Sequence, residues 1–560
     1  MLKKLSSNSF FSYILISLSV IILYTPTLNN GFFNIDDEKL VLNNPYIKDI
    51  SFKNFIAIFN PSGIPASTEK AYKPLRSASF MIDYALGGYN PSVYHMGNLI
   101  IYLVTCLLLY RILVDQIRHS ALWVAAFFAL HPVHTEPVAW VSARSDLLAG
   151  FFCLLSFFAY QKSISKITSL TYAGSIIFWI LAFFSKSVAV AFPIVIIGYD
   201  ICVRSRPWRQ NLIRWSPFIF LSIMACVFSI YRAKITGHIY DDFLFFSDRL
   251  LYIALLIQRY ILTTLVPLRL SFYYTPFPDL SQIVFEVVLS LFLCLLLIML
   301  GLFWWLKDKK KVFILILFFT FLLPVIQIIP FPVMQADRYL FYSVLSIAII
   351  LGWVMEILLR HKQNKLRLTL GIGILMFYFS LSWQRIQYWE SSVFIWQDAV
   401  SKSSRPFAKL QLGRAYFKEE QYKKALDNFL RVTEEKPNYY GGFYWAGRSL
   451  MSLGRLNEAN FFLIKSKNIS PENSHSYYQL GLIALWQENL DNAENFLQKA
   501  IAIEPQFWEA YYLLGLTYMK SDKPSQALEK LCKSLHPSNK NYDDALKVIR
   551  KLGSGTCGNE

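Results

Sequence analysis

The chain has 560 residues, too many for one compact domain, and 55% of them are hydrophobic. Charged residues make up only 16%, which excludes an ordinary soluble enzyme of this length. Lys and Arg exceed Asp and Glu by 55 to 37, but they sit in short clusters between apolar runs, so they read as cytoplasmic loops and exclude a nucleic-acid surface.

The N-terminus, "MLKKLSSNSFFSYILISLSVIILYTPTLNN", has a basic start and a long apolar core with no small-residue cleavage site after it. It reads as an uncleaved first helix. Candidate spans lie at roughly 10–28, 93–113, 120–138, 146–161, 168–184, 187–203, 212–231, 248–267, 282–305, 312–331, 338–359 and 366–383. Each is near the ~20 residues that cross a bilayer as a helix. Gln258 and Arg259 fall in the middle of 248–267, which is costly at the bilayer centre, so that segment reads as re-entrant or interfacial.

Eleven crossings then put every basic cluster in the cytoplasm: Lys3 and Lys4; Arg204, Arg206, Arg209 and Arg214; Lys307, Lys309, Lys310 and Lys311; Arg360, Lys362, Lys365 and Arg367. The loop 29–92, the turn 131–145, "SKS" at 185–187, the region 232–281 and "MQADRY" at 334–339 face outward. So does everything after the last span. The expected fold is all-α: a polytopic membrane helix bundle over 1–385, a linker over 386–405 and a repeat domain over 406–560.

The repeat domain is legible as a period. Gly413, Gly447, Gly481 and Gly515 are spaced by 34, as are Ala425, Ala459, Ala493 and Ala527, and Pro437, Pro471 and Pro505. A 34-residue helix–turn–helix unit with these small residues is the tetratricopeptide pattern. Four repeats and a capping helix, "NYDDALKVIRKLG", build a solenoid whose concave face suits a polypeptide. A spacer or an oligomerisation surface is the alternative. Of seven cysteines, Cys106, Cys153, Cys202, Cys226 and Cys294 read as small core hydrophobes, and Cys532 and Cys557 lie in the soluble end as candidates for a disulfide.

The chemistry-bearing residues lie on the outward side. Asp36 and Asp37, in "NIDDEKLVLNNP", leave the first span directly into a long loop. They are either solvated loop acids or a carboxylate placed to act as a general base toward an arriving hydroxyl. Amphipathic pieces such as "SFKNFIAIFNP" favour an ordered loop lying on the membrane. The turn "LHPVHTEPVAWVSARSDLL" gathers His131, His134, Glu136, Arg144 and Asp146. Pro132 and Pro137 break the helix that would align the two histidines for a metal, so no metal is expected there. Arg144 offers a forked donor to phosphate oxygens, and Lys186, Arg259 and Arg338 add positive charge at the same level. The alternative for each is an interface anchor or a snorkelling side chain.

"GFFNIDDEKLVLNNPYI", "YKPLRSASFMIDYALGGYNPSVYHMGNLIIYL", "FALHPVHTEPVAWVSARSDLLAG", "FFSKSVAVAFPIVIIGYD", "LRLSFYYTPFP" and "ADRYLFYSV" occur in this order, followed by the repeats. In this the whole chain resembles the transmembrane and tetratricopeptide-repeat-containing (TMTC-type) O-mannosyltransferases and their bacterial relatives, of the GT-C class. The resemblance implies a polyprenyl-phosphate-sugar donor and transfer to a Ser or Thr hydroxyl on the non-cytoplasmic face. It implies a catalytic acidic pair at Asp36 and Asp37, with Asp36 the base, and donor-phosphate contacts at Arg144 and Arg338. Some relatives have an acid after the lysine of "SK"; here it is Ser187. The short array favours a bacterial inner membrane; in a eukaryote the place is the endoplasmic reticulum. No cofactor is required, with a divalent cation left open. A glycan- or lipid-modifying transferase, and a membrane-anchored scaffold, are the other readings.

Overall fold

Two prolines mark where one of the apolar runs stops being a regular helix. The computed structural model describes residues 9–61, 72–163, 169–205, 207–237, 246–274, 282–330, 333–359, 364–403, 405–536, 539–552 and 557. Lys3, Lys4, Arg206, Arg360 and Lys362, four residues of "LRLSFYYTPFP" (275–278) and Gly553 of the capping segment lie outside them. The described residues contain no β-strand and divide into two units, Met1–Lys402 and Ser403–Glu560.

Among the described residues of the first unit, five helices are long and apolar enough to cross a membrane: Phe10–Asn29, Pro91–Ile117, Val141–Lys162, Asn211–Ile235 and Val284–Lys307. Leu170–Ser185, Ser187–Val203 and Val344–Leu359 are apolar but shorter. Val284–Lys307 turns Phe285, Phe292, Leu295 and Ile298 outward, a large apolar surface that suits lipid. This is a multi-pass membrane protein.

The expected span 120–138 does not run as one helix. Ala121–Ala129 ends at Leu130, a 3-10 turn follows at Pro132–His134, and Thr135–Ala139 is a short helix of its own. Pro132 and Pro137 have no N–H to donate, and a proline ring inside a helix clashes with the preceding turn. Likewise Val344–Leu359 begins later than the expected 338, after a 3-10 turn at Asp337–Leu340. The broken stretch sits at the centre of the unit, where every residue from 127 to 150 is buried.

The described residues of the first loop, 29–61 and 72–92, are folded, as its amphipathic pieces suggest. Phe52–Phe59 and Pro74–Gly87 are helices, and Leu40, Val41, Ile47, Ile58, Phe80, Met81, Tyr94 and Val141 form a core under the loop. Residues 386–402 are not a linker. Ser392–Lys402 is a helix of the first unit, with Val393, Ile395 and Trp396 buried, and Trp396 donates from Nε1 to Asn34 Oδ1 at 3.1 Å. Three of the four apolar side chains in "SVFIW" carry it into the core, and the fourth, Phe394, is exposed.

The second unit is the repeat array. Its helix pairs are Pro406–Lys418 with Tyr422–Glu435, Tyr440–Ser452 with Leu456–Ile469, Ser474–Trp486 with Leu490–Ile503, and Trp508–Lys520 with Pro524–Lys533. Tyr542–Lys551 follows. Cys532 and Cys557 are bonded, with Cα atoms 5.6 Å apart. The periodic glycines are contact residues. A Cβ on Gly447, Gly481 or Gly515 would stand 2.7 Å from Cγ of Leu463, Leu497 or Leu531 of the paired helix. Gly481→Val is therefore expected to cost about 1–3 kcal/mol by overpacking. Hydrogen exchange of the full chain should show faster exchange in Ser474–Trp486 and Leu490–Ile503; unchanged protection would contradict the close approach.

Candidate active site

The buried segment 136–146 is the frame on which the candidate residues are hung. Its irregular backbone must find partners inside protein, and neighbouring side chains supply them. Asn98 Nδ2 donates to Val138 O at 3.3 Å and to Trp140 O at 3.0 Å. Tyr102 Oη donates to Ala129 O at 3.0 Å, Ser382 Oγ to Leu130 O at 2.8 Å, and Arg76 Nη1 to Ser142 O at 3.3 Å.

The two neighbouring acids have different environments. Asp37 is fully buried and accepts from Phe33 N at 3.0 Å, from Ser142 N at 3.0 Å and from Ser142 Oγ. Burial pushes its carboxyl up to about 6, against the pull of the Ser142 hydroxyl and the backbone donors. Asp36 is exposed on the loop surface. The pinned acid fixes where the free one stands.

Arg338 and Lys186 come together next to this frame. Arg338 Nη1 pairs with Glu136 Oε1 at 2.5 Å, and its backbone N donates to Glu136 Oε2 at 3.2 Å. Its guanidinium lies 5.4 Å from the ring centres of both Trp140 and Tyr339. Lys186 Nζ pairs with Asp146 Oδ1 at 2.5 Å and lies 5.8 Å from the same Tyr339 ring. Burial holds its ammonium below the usual lysine range, while Asp146 pulls the other way. The side chains of Arg338 and Lys186 remain 17% and 13% exposed, so each keeps a small face outside the packed interior.

Arg144 has no such face. It is 1% exposed, pairs with Asp83, and donates from Nε to Asn98 Oδ1 at 2.7 Å and from Nη2 to Tyr94 O at 2.6 Å. It lies 4.8 Å over the Phe80 ring, and a Cβ on Gly97 would come within 2.7 Å of its Nη2. Its forked donors clamp Pro74–Gly87 to Pro91–Ile117, so the expected phosphate contact is replaced by a structural one. Removing one partner of such a buried pair costs about 3–5 kcal/mol.

The two histidines are also committed. His134 Nε2 is 3.1 Å from Phe341 O, with Nδ1 2.8 Å from both Tyr102 Oη and Phe128 O. His131 Nε2 is 3.0 Å from Thr264 O, and its Nδ1 accepts from Val133 N. They brace the broken segment. Among the described residues, no three His, Cys, Asp or Glu side chains gather as a metal site would require. Arg259 reaches Gln335 Oε1 at 3.4 Å, in the strip that leads to Arg338. Asp337 is buried and accepts from Tyr274 Oη at 2.5 Å and Ser271 N at 3.0 Å.

Sequence reasoning missed Ser142, Asp83 and Asn98. Nothing in "VSARSD" marks Ser142 as the partner of a carboxylate 105 residues away. The forked chemistry of Arg144 was a fair signal for an anion, but the anion is Asp83.

Tetratricopeptide repeat models match residues 408–439, 474–507 and 496–529. The chain is 38% identical over 143 residues to protein O-mannosyl-transferase TMTC1 of Mus musculus, covering 24% of this chain and 15% of that protein. It is 34% identical over 161 residues to protein O-mannosyl-transferase F38B6.6 of Caenorhabditis elegans, covering 27% and 23%. With TMTC4 of Homo sapiens the identity is 32% over 174 residues, again 27% and 23%. The chain resembles these TMTC-type proteins. Each match spans less than a quarter of the relative's length. A solved thermophilic TPR protein of Thermus thermophilus, TTC0263, is 22% identical, with 34% of this chain and 98% of that one covered at a TM-score of 0.26.

The raised carboxyl of Asp37 makes a pH prediction. Between its ordinary value of 3.8 and about 6, the folded protein holds a proton that the unfolded chain has released. Stability contributed by this group is therefore expected to fall as pH rises through that window. The difference in unfolding temperature between the protein and its Asp37→Asn variant, followed in detergent, should change across the window and level off above it. A constant difference would show that Asp37 does not titrate there.

Proposed function

We propose that this chain is a membrane glycosyltransferase that moves mannose or another hexose from a polyprenyl-phosphate donor to a polypeptide Ser or Thr hydroxyl on the non-cytoplasmic face. The observation that carries the reading is that one buried segment, 136–146, holds Asp37 through Ser142, Arg338 through Glu136 and Lys186 through Asp146. The acid loop and the two part-open cations are thus tied to one frame. The similarity to named O-mannosyl-transferases supports the reaction class.

In this reading Asp36 takes the proton of the acceptor hydroxyl. The hydroxyl oxygen bonds to the anomeric carbon, the bond from that carbon to the phosphate oxygen breaks, and polyprenyl phosphate leaves with the electron pair. Arg338 and Lys186 face the charge that grows on the leaving phosphate, where preorganised cations act most strongly. Asp37 is a positioning residue: its three donors keep the loop from carrying Asp36 away. Arg259 supports the strip before Arg338. Both oxygens of Asp37 are engaged by donors, so the pair leaves a divalent cation only one open carboxylate, and no step is drawn through a metal. The membrane unit holds the donor lipid, and the repeats receive the polypeptide.

Transfer from a radiolabelled polyprenyl-phosphate hexose should fall about 10²–10⁴-fold in Asp36→Asn, the usual loss for a missing general base, with protein level unchanged. Lys186→Met should raise the donor KM about tenfold, the worth of a charged contact, in protein whose unfolding temperature is checked alongside. Ordinary turnover in Asp36→Asn would return both acids to the role of solvated loop residues.

The same reading places the array outside the cytoplasm, where a Cys532–Cys557 bond persists. Alkaline phosphatase fused after Lys402 should be active in a bacterial host and green fluorescent protein at the same point dark. The reverse pattern would place Asp36 on the wrong side for a lipid-borne sugar.

A further inference from the structure

The face formed by the first helices of the four repeats carries a composition that changes from one end to the other. Arg414, Arg448, Leu482 and Leu516 occupy the same repeat position, each 34 residues after the last, and all are half-buried. Beside them run Tyr444, Tyr478 and Tyr512, also 34 apart. Arg448 lies 5.9 Å from the ring centre of Tyr444, and Tyr478 stacks on Phe507 with ring centres 4.9 Å apart.

The two arginines are pre-set rather than loose. Arg448 stands 4.7 Å from the ring centre of Trp445 and 4.8 Å from that of Phe417. Arg414 stands 5.2 Å from the same Trp445 and donates to Gln411 Oε1 at 3.2 Å. Stacking on aromatic faces holds the guanidinium planes and lowers the ordering cost of binding an anion. Among the described residues neither forms an ion pair with a carboxylate. Further along, Leu482 and Leu516 replace the arginines, and Glu509 lies beside Tyr478.

We propose that this face binds an extended polypeptide bearing a cluster of Asp or Glu next to apolar side chains, the acids meeting Arg414 and Arg448 and the apolar residues meeting Leu482 and Leu516. The tyrosines supply flat surface and hydroxyls to the peptide backbone between. Glu509 repels a second acidic cluster at the leucine end, which sets the direction in which the peptide lies. The inference rests on the reading of the array as a polypeptide-binding surface, not on the transfer step, and it gives that polypeptide a chemistry.

The test is fluorescence anisotropy with the full chain in nanodiscs of zwitterionic lipid. The probes are three fluorescein-labelled peptides of equal length: one with three acidic residues followed by two leucines, one with Gln for each acid, and one with Ser for each Leu. The first should bind about tenfold or more tightly than the Gln peptide, since charge-assisted contacts are lost there. Its advantage should shrink as KCl is raised. Arg414→Gln with Arg448→Gln should abolish the preference for acids, and the Ser peptide should bind more weakly than the first. Equal binding of the acidic and Gln peptides, a salt-independent preference, or a preference surviving in the double variant would overturn the proposal while leaving the array a polypeptide-binding surface. Absence of binding by all three peptides would overturn that broader reading as well.

Discussion

The structure depends on one constraint: a proline-broken stretch of backbone is buried at the centre of a membrane unit. Backbone groups that leave a helix inside an apolar environment cost several kcal/mol each if unpaired. Asn98, Tyr102, Arg76 and Ser382 meet that demand from neighbouring helices. His131 and His134 do the same from within the stretch. Side chains that look chemically provocative in the sequence are therefore held there by packing. The same demand draws the helices round the stretch, and its side chains then reach out to the acidic loop on one side and the cations on the other.

Burial sorts the charges. Arg144, Lys186 and Arg338 are equal candidates as letters in a sequence, and each has an acid. Arg144 is enclosed on all sides, with Asp83, Asn98, a carbonyl and a phenyl ring accounting for its donors. The other two are also paired and packed, Arg338 against Glu136, Trp140 and Tyr339 and Lys186 against Asp146 and Tyr339, but each keeps a small exposed face. A buried pair fixes geometry, whereas a cation with one hydrated face can exchange water for an anion without losing its structural acid. The acids divide in the same way: Asp37 is bonded by three donors, and Asp36 remains at the surface.

How much of this was legible follows from the range of the interactions. The repeats were readable because Gly481 and Leu497 meet within one helical hairpin, and the same spacing recurs. The apolar helices were readable from composition, and the helices of the loop from its amphipathic runs. The span 120–138 was misread because average hydropathy outweighed two prolines. The different settings of Asp36 and Asp37 were hidden because Ser142, which pins Asp37, comes from a distant segment with no distinguishing pattern. Arg144 misled for the same reason. A sequence displays donors clearly, but it does not say which distant acceptor has already claimed them.

The helix Ser392–Lys402 has a practical consequence. Its Trp396 holds Asn34, two residues before Asp36, and Ser392 Oγ accepts from the Asn34 backbone at 3.2 Å. Composition alone ends the membrane part at 385. A protein cut at that point would lose the brace of its acidic loop along with the repeats, and any loss of function would be blamed on the missing array. The cleavable joint for dissecting the two units lies after Lys402, and only there does silence in an assay report on the repeats themselves.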